Sequence, residues 1–404
     1  MNYYALIFVV LILFAVTDFI APKNEKFHRR MYQAVFGLTF FFCVIKYLFG
    51  PDILIYYNFY ETIPSPTDFI TGRQGIQKFE VGFNYFCSII KHLGVSYWGM
   101  TVIVACLYFY VLHKCFDKIP SKKCLALLVL VAFDRDLIFI QHRQCMAVSF
   151  YILMFFAYID KKYIQMTLYA LLTMWFHKSG MVFVLPVFAL LFSSFKVNRR
   201  SYFTCIALLL VLGLLPWQNI ILTLMRSLPI KANVVNSVAY HLGQYATFQS
   251  ILIVYVMLLL LQSLVEMKDR LFVKMGVVIL LGWIAVLLFY QYPPMQARFR
   301  SYLTPFLVMY VFNIFHYFGD DSKVEVDKIL TSSSYSLVLR DIFAGLFMLY
   351  TLYHIYAGVA AVNRLNSNLY ESSTIIDLLH TPKKEIVDDR LKRARLYWGT
   401  EKDR

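Results

Sequence analysis

The chain is short of charge. Only 16% of its 404 residues are Asp, Glu, Lys or Arg, against about a quarter in soluble proteins. With 60% hydrophobic residues, that shortage excludes a soluble globular enzyme and leaves a chain whose main solvent is lipid. Paired cysteines are missing too. The seven present (Cys43, Cys87, Cys106, Cys115, Cys124, Cys145 and Cys205) are an odd number, lack a CxxC and fall mostly inside apolar runs, so they read as small buried hydrophobes, not as disulfides or a metal site. No HxxH or HExxH occurs, and the single Asp-x-Asp, Asp134-Arg135-Asp136, carries an arginine at its centre. It reads as a self-paired loop, which leaves no ligand set for a metal and no cofactor motif. Internal repeats and low-complexity tracts are also absent. Tyr3–Ile20 has no basic stretch before it and no small-residue cleavage site after it, so it is expected to be a retained helix.

Long apolar runs are what the chain has in plenty. Hydropathy marks about twelve, several of them shorter than the roughly 20 residues of a full membrane helix: Tyr3–Ile20, Met31–Phe49, Trp98–Val111, Cys124–Phe133, Cys145–Tyr158, Ile164–Phe176, Gly180–Phe195, Tyr202–Leu215, Ser250–Val265, Val273–Phe289, Tyr302–Phe318 and Ile342–Ala357. The expected fold is therefore all-α and polytopic. Residues 1–361 form the transmembrane part and 362–404 a charged tail. A net charge of +15 would suggest nucleic acid in a soluble protein, but here the basic residues concentrate in short loops, where they report topology. Alternate loops carry 19 Lys and Arg on one side and 10 on the other. The first side is cytoplasmic, and the N-terminus lies outside. Twelve spans would put the tail outside as well, despite its nine Lys and Arg; either the span count is off by one or the tail is an exported surface segment.

Between the second and third runs lies a stretch too polar to enter the bilayer, Gly50–Gly94, part of a first outer loop at 50–97. Its aromatic residues suit the membrane interface. Phe79, Phe83, Phe86, Ile90 and Leu93 recur every third or fourth residue, predicting an amphipathic interfacial helix over Phe79–Leu93 with Glu80 in its first turn.

Polar residues gather at this outer level: Asp52 and Glu80, then Gln141-His142-Arg143-Gln144, then His177-Lys178-Ser179, then Gln296-Ala297-Arg298-Phe299-Arg300. A charge at mid-bilayer costs about 2.5–3.5 kcal/mol, so such groups are retained by snorkelling, by pairing or by a ligand. Snorkelling explains one arginine; several clusters on one face favour a shared anionic ligand. Arginine forks orient phosphate oxygens, and carboxylates with a histidine could take a proton from an attacking hydroxyl. His177, taken alone, also fits a capped interfacial histidine.

In their order and spacing, these residues resemble the EpsG family of Wzy-like polymerases of exopolysaccharide, capsule and O-antigen repeat units. The resemblance is carried by Gly50-Pro51-Asp52 with Tyr56 and Tyr60, Phe79-Glu80-Val81-Gly82-Phe83-Asn84, His142-Arg143-Gln144-Cys145-Met146-Ala147, Phe176-His177-Lys178-Ser179-Gly180 with Pro186, and Arg298 with Tyr302. Pro51, Gly180 and the tail beyond Asn366 depart from the pattern. The resemblance implies a GT-C-like, metal-independent membrane glycosyltransferase without cofactors, multi-pass in the bacterial cytoplasmic (inner) membrane. Its donor and acceptor would be polyprenyl-pyrophosphate-linked (undecaprenyl-type) oligosaccharides, its partners membrane lipid and a chain-length regulator, with no nucleic acid. It implies Asp52, Glu80 and His177 as catalytic groups, Arg143, Arg298 and Arg300 on pyrophosphate, and Tyr56, Tyr57 and Tyr60 as sugar-stacking surfaces; which carboxylate is the base stays open. Competing readings are a lipid-linked oligosaccharide flippase or transporter, which needs a polar path on both sides of the midplane, and a membrane O-acyltransferase or ligase acting on surface polysaccharide.

The charge asymmetry makes the topology directly testable. A cysteine replacing Thr67 is expected to react with an impermeant thiol reagent added outside intact cells, and one replacing Ser121 only after the membrane is opened; the reverse pattern would invert the topology and remove the site from the outer face.

Overall fold

A computed structural model describes residues 3–20, 24–50, 52–70, 79–192, 217–227, 265–267, 269–288, 293–317, 324–326, 333–364 and 383–397, with isolated positions between them. Pro51, Arg73, Lys78, Cys205 and most of the expected spans Tyr202–Leu215 and Ser250–Val265 lie outside the described residues. The described chain is predominantly helical, as its composition requires. One short antiparallel ribbon departs from the all-helical expectation, β1 (Val265–Met267) with β2 (Val324–Val326), in the register Val265 to Val326.

Contacts divide the chain into two units, Met1–Met181 with Thr351–Arg404 and Val182–Tyr350. The first begins with α1 (Tyr3–Thr17), α2 (Glu25–Ile45), α3 (Ile53–Thr62), α4 (Pro66–Ile70) and α5 (Val81–His92). It continues through α6 (Tyr97–Phe116), α7 (Lys123–Phe139), α8 (His142–Ile159) and α9 (Tyr163–Phe176) into the start of α10 (Ser179–Phe192). Among the described residues, α6 is the one helix both long and apolar enough to cross a membrane by length and composition; α1 is a shorter apolar helix.

Helix ends in this unit meet in two separate sets. At one end, Asp18 after α1 accepts a hydrogen bond from the Leu125 amide of α7 at 2.8 Å and lies 3.9 Å from His28 of α2. At the other, Tyr3 and Tyr4 of α1 pack on Phe49 and Phe139, and the Tyr3 hydroxyl donates to the Phe42 carbonyl. Asp134-Arg135-Asp136 is not a loop but the last part of α7, kinked at Asp134 (φ −122°, ψ 27°). Arg135 does face Asp136, at 3.7 Å, yet it also donates to the His354 carbonyl, and Asp136 accepts from the Tyr4 hydroxyl at 3.3 Å. Cys43, Cys87, Cys115, Cys124 and Cys145 are buried thiols, while Cys106 is exposed.

In the second unit α10 continues, followed by α11 (Trp217–Ser227), α12 (Arg270–Leu288) and α13 (Pro293–Tyr317). α12 and α13 pack together, with Gly282 against Leu303, and Phe183 stacks on Tyr302 with ring centroids 4.8 Å apart. α14 (Ser333–Arg364) leads back into the first unit, where the tail helix α15 (Lys383–Tyr397) packs on α3 and Thr374 forms a bridge with Lys46. The tail thus packs on the segment of the first unit that follows α2.

A helix does form in this stretch, but it is differently cut and turned from the one expected. α5 starts at Val81 with Glu80 as its N-cap, so Glu80 precedes the first turn. Its buried face is Gly82, Phe83, Asn84, Cys87 and Ser88, while Leu93 is 72% exposed. The stripe is rotated because α5 packs on α9, α4, α3 and α6. A Cβ on Gly82 would stand 2.8 Å from the Trp175 carbonyl oxygen, and Ser88 donates to the Pro64 carbonyl at 2.7 Å. Gly82→Ala is therefore expected to push α5 off α9 and lower stability by about 1–3 kcal/mol. A fall in the thermal midpoint of the purified protein would show this, and an unchanged midpoint would mean the backbones are not in that contact.

Candidate functional site

The entrances to three helices form the site: α5, α8, and the turn from α9 into α10. Asn84 Nδ2 donates to the Phe79 carbonyl at 2.9 Å, which fixes the residue before Glu80. Freed from any side-chain capping bond, the Glu80 carboxylate turns to Arg143 in the first turn of α8. Arg143 Nη1 lies 2.5 Å from Glu80 Oε2, and the two side chains are 20% and 11% exposed. Arg143 Nε donates to the Tyr56 hydroxyl at 3.2 Å, and its guanidinium lies 4.3 Å from the Phe79 ring centroid. The arginine is thus held by a carboxylate, a phenol and an aromatic face, an arrangement that suits guanidinium and not ammonium geometry. Nη2 makes no hydrogen bond among the described residues.

Glu80 Oε1 accepts a long hydrogen bond from the Lys178 amide, 3.4 Å. Its neighbour His177 caps the end of α9 and is buried, with Nδ1 2.6 Å from Ser179 Oγ and also accepting from the Ser179 amide at 3.2 Å. An amide donor at Nδ1 selects the tautomer with its proton on Nε2. Gly180 allows this turn to close, since a Cβ there would meet the Thr173 carbonyl oxygen at 2.8 Å.

Burial disfavours the Glu80 carboxylate, but Arg143 first and His177 second outweigh it, and the group is held below the usual carboxylate range. Burial pushes the Tyr56 phenol up despite the adjacent Arg143, so its hydroxyl keeps its proton and accepts from Nε through oxygen.

The other expected residues are placed as follows. Asp52 is the N-cap of α3, its carbonyl accepting from the Ile55 and Tyr56 amides at 3.0 Å and its charge felt at Tyr56 and Tyr97. Tyr57 is half-buried beside Tyr97. Tyr60 is 2% exposed, with its hydroxyl donating to the Val95 carbonyl at 2.7 Å. Arg298 and Arg300 lie on α13 of the second unit, Arg298 exposed and 4.0 Å from Met295 Sδ, on either side of the fully buried Phe299. Among the described residues no cluster of His, Cys, Asp and Glu could hold a metal.

The family profile described as EpsG matches residues 29–358, a span that includes every one of these positions. The chain belongs to the EpsG family. No curated protein and no solved structure matches it. As an EpsG-family member the chain is a membrane protein of polysaccharide biosynthesis, a family associated with lipid-linked polysaccharide substrates. The match ends before the tail, so α15 lies outside the matched span. Two contributors were not legible in this role beforehand. Phe79 looked like an interfacial ring and proves to be the platform of Arg143, and Tyr56, read as a sugar surface, is bonded to that arginine. An aromatic residue immediately before a helix-capping glutamate was the available signal.

A carboxylate whose folded-state pKa is lowered stabilises the fold above its unfolded value and loses that contribution as pH falls through the folded value. For Glu80 the ordinary value is 4.5. Wild type should therefore unfold at a higher temperature than Glu80→Gln at neutral pH, and the gap should close only below about pH 4.5. A gap that is constant down to pH 3, or that closes near neutrality, would contradict the pairing with Arg143.

Proposed function

We propose that this chain is a metal-independent glycosyltransferase that crosses the bacterial cytoplasmic membrane with about twelve helices and polymerises polyprenyl-pyrophosphate-linked oligosaccharide repeat units at its outer face. The observation that carries this reading is the Glu80–Arg143 pair, held between Phe79, Tyr56 and the His177 turn in a chain of the EpsG family.

The pair suggests how the site switches on. In the resting state Arg143 is satisfied by Glu80, and Glu80 is too acidic to act as a base. A pyrophosphate is the stronger partner for a guanidinium. As it takes Arg143, with Arg298 and Arg300 as further cationic groups, Glu80 loses the charge that holds its pKa down and its proton affinity rises. The acceptor hydroxyl then gives its proton to Glu80 while its oxygen forms the new bond to the donor's anomeric carbon. The bond from that carbon to the pyrophosphate breaks, and the electron pair leaves on the pyrophosphate oxygen. His177 orients the acceptor through Nε2–H, Asp52 keeps the corner negative as the oxocarbenium character grows, and Tyr57 offers the sugar a partly exposed ring.

If Arg143 merely snorkelled, any cation on a long stem would do, and Lys would replace it. Two-pronged contact with a leaving group is different: losing one preorganised donor there costs about 2.7–4 kcal/mol, a rate loss of roughly a hundred- to a thousandfold. Arg143→Lys is thus expected to accumulate normally on an immunoblot while the polysaccharide ladder collapses to single lipid-linked units, and chelator added to wild-type membranes should leave the ladder unchanged. A normal ladder from the Lys variant would return Arg143 to the scaffold.

A further inference from the structure

Helix α13 opens with a polar side chain to which the proposed chemistry gives no role. Gln296 is only 6% exposed, and its Nε2 is buried with no hydrogen-bond partner among the described residues. A side-chain amide carries two N–H donors, and leaving them unmet away from water costs more than an apolar side chain of the same shape would. A native buried donor in that state calls for an acceptor from outside the fold.

Its surroundings name the chemistry of that acceptor. Gln296 lies in the first turn of α13, a helix of 25 residues, and helical side chains lean toward the N-terminus. The amide group is thereby carried to the positive end of the helix, where backbone N–H groups lack intrahelical partners and the dipole favours an anion. Pro293 and Pro294 have no amide hydrogen, so Met295 and Gln296 supply the backbone donors there. Arg300 follows at i+4 on the same face as Gln296. One more turn on, Thr304 is 1% exposed and donates its hydroxyl to the Arg300 carbonyl at 3.0 Å. α13 holds no Asp or Glu to answer these donors. The turn is also open to approach: Arg298 is exposed and Arg300 half-buried, so an anion held at Arg300 comes within the swing of the flexible Gln296 side chain.

We propose that Gln296 is a phosphate-binding residue, its Nε2–H donating to an oxygen of the same phosphoryl group that Arg300 neutralises at the start of α13. The inference rests on the polymerase reading for identifying that group as the pyrophosphate of a lipid-linked substrate. Anion binding is measured without turnover, so the two fail separately. A phospholipid phosphate has the same chemistry and is the other source. A residue kept for a ligand and not for the fold has a signature that packing does not share: removing its donors relieves the empty protein and weakens the loaded one.

The test uses the purified full-length protein in phosphatidylcholine nanodiscs, its thermal midpoint followed with and without inorganic pyrophosphate. Pyrophosphate is expected to raise the wild-type midpoint saturably. Gln296→Met, close in shape but without donors, is expected to match or exceed the wild-type midpoint in the absence of pyrophosphate and to need about tenfold or more pyrophosphate for the same rise. Gln296→Ala is expected to lose the same response and guards against a Met side chain that does not fit. Equal pyrophosphate responses in wild type and in whichever variant folds would overturn the proposal. So would no wild-type response up to roughly 10 mM, too weak for a substrate contact, or a loss of stability by comparable amounts in both variants without pyrophosphate, which would give the amide a partner in the resting protein. Phosphatidylglycerol nanodiscs separate the two sources. The pyrophosphate response is expected to persist in them; its replacement by a Gln296-dependent rise in midpoint from the lipid alone would assign the site to phospholipid and overturn the pyrophosphate assignment.

Discussion

A guanidinium and a carboxylate withdrawn from water at a helix entrance must find each other, and the arrangement around Glu80 and Arg143 follows from that requirement. Either charge alone, so little exposed, would be strongly destabilising. For the two to meet, α5 must begin where α8 begins. Asn84 fixes the Phe79 carbonyl, Gly82 lets α5 approach the end of α9, and Gly180 lets the next turn fold tightly enough to bring the Lys178 amide to the same carboxylate. Residues that look like separate signals along the chain are thus steric and electrostatic conditions for one contact.

Under the proposed function, the pair accounts for a carboxylate so close to the arginine that would bind the substrate. A permanently unpaired arginine at this depth would attract any phosphate in the headgroup layer. Paired with Glu80, it yields only to a ligand that offers better geometry and more charge, and the exchange frees a base when there is something to deprotonate. Specificity and activation then share one interaction.

Much of this was legible in the sequence, for reasons that differ by element. Hydropathy located α1, α2 and α6 to α9, with ends off by up to six residues, because long apolar runs between polar segments have few alternatives to a helix. Grouping Asp52, Glu80, Arg143 and His177 at one end needed only the alternation of passes, and the first unit does place them at one end. Periodicity misjudged α5, since it counted Phe79 and Leu93 as one stripe when Phe79 precedes the helix and Leu93 is exposed; the true face is set by two small residues and a polar one, Gly82, Ser88 and Asn84, that hydropathy ignores. The same blindness hid Lys46. A lysine at the end of an apolar run reads as a snorkelling residue, and only the irregular backbone after it, with Leu48 and Gly50 at positive φ, turns it inward.

The charged tail had been the awkward feature of the topology. Its nine Lys and Arg stand against placement on the side that the loop charges assign to the exterior, yet the positive-inside rule is a rule of short loops close to spans, and longer segments cross largely regardless of charge. Here the tail is held against the part of the first unit that contains α3 and the end of α2. Thr374 pairs with the Lys46 backbone, α15 packs on α3, Arg390 and Ile386 are each 8% exposed, and the Asp388 charge is felt at Tyr57. The tail helix lies beyond the family match and packs against the helix that carries Tyr56 and Tyr57.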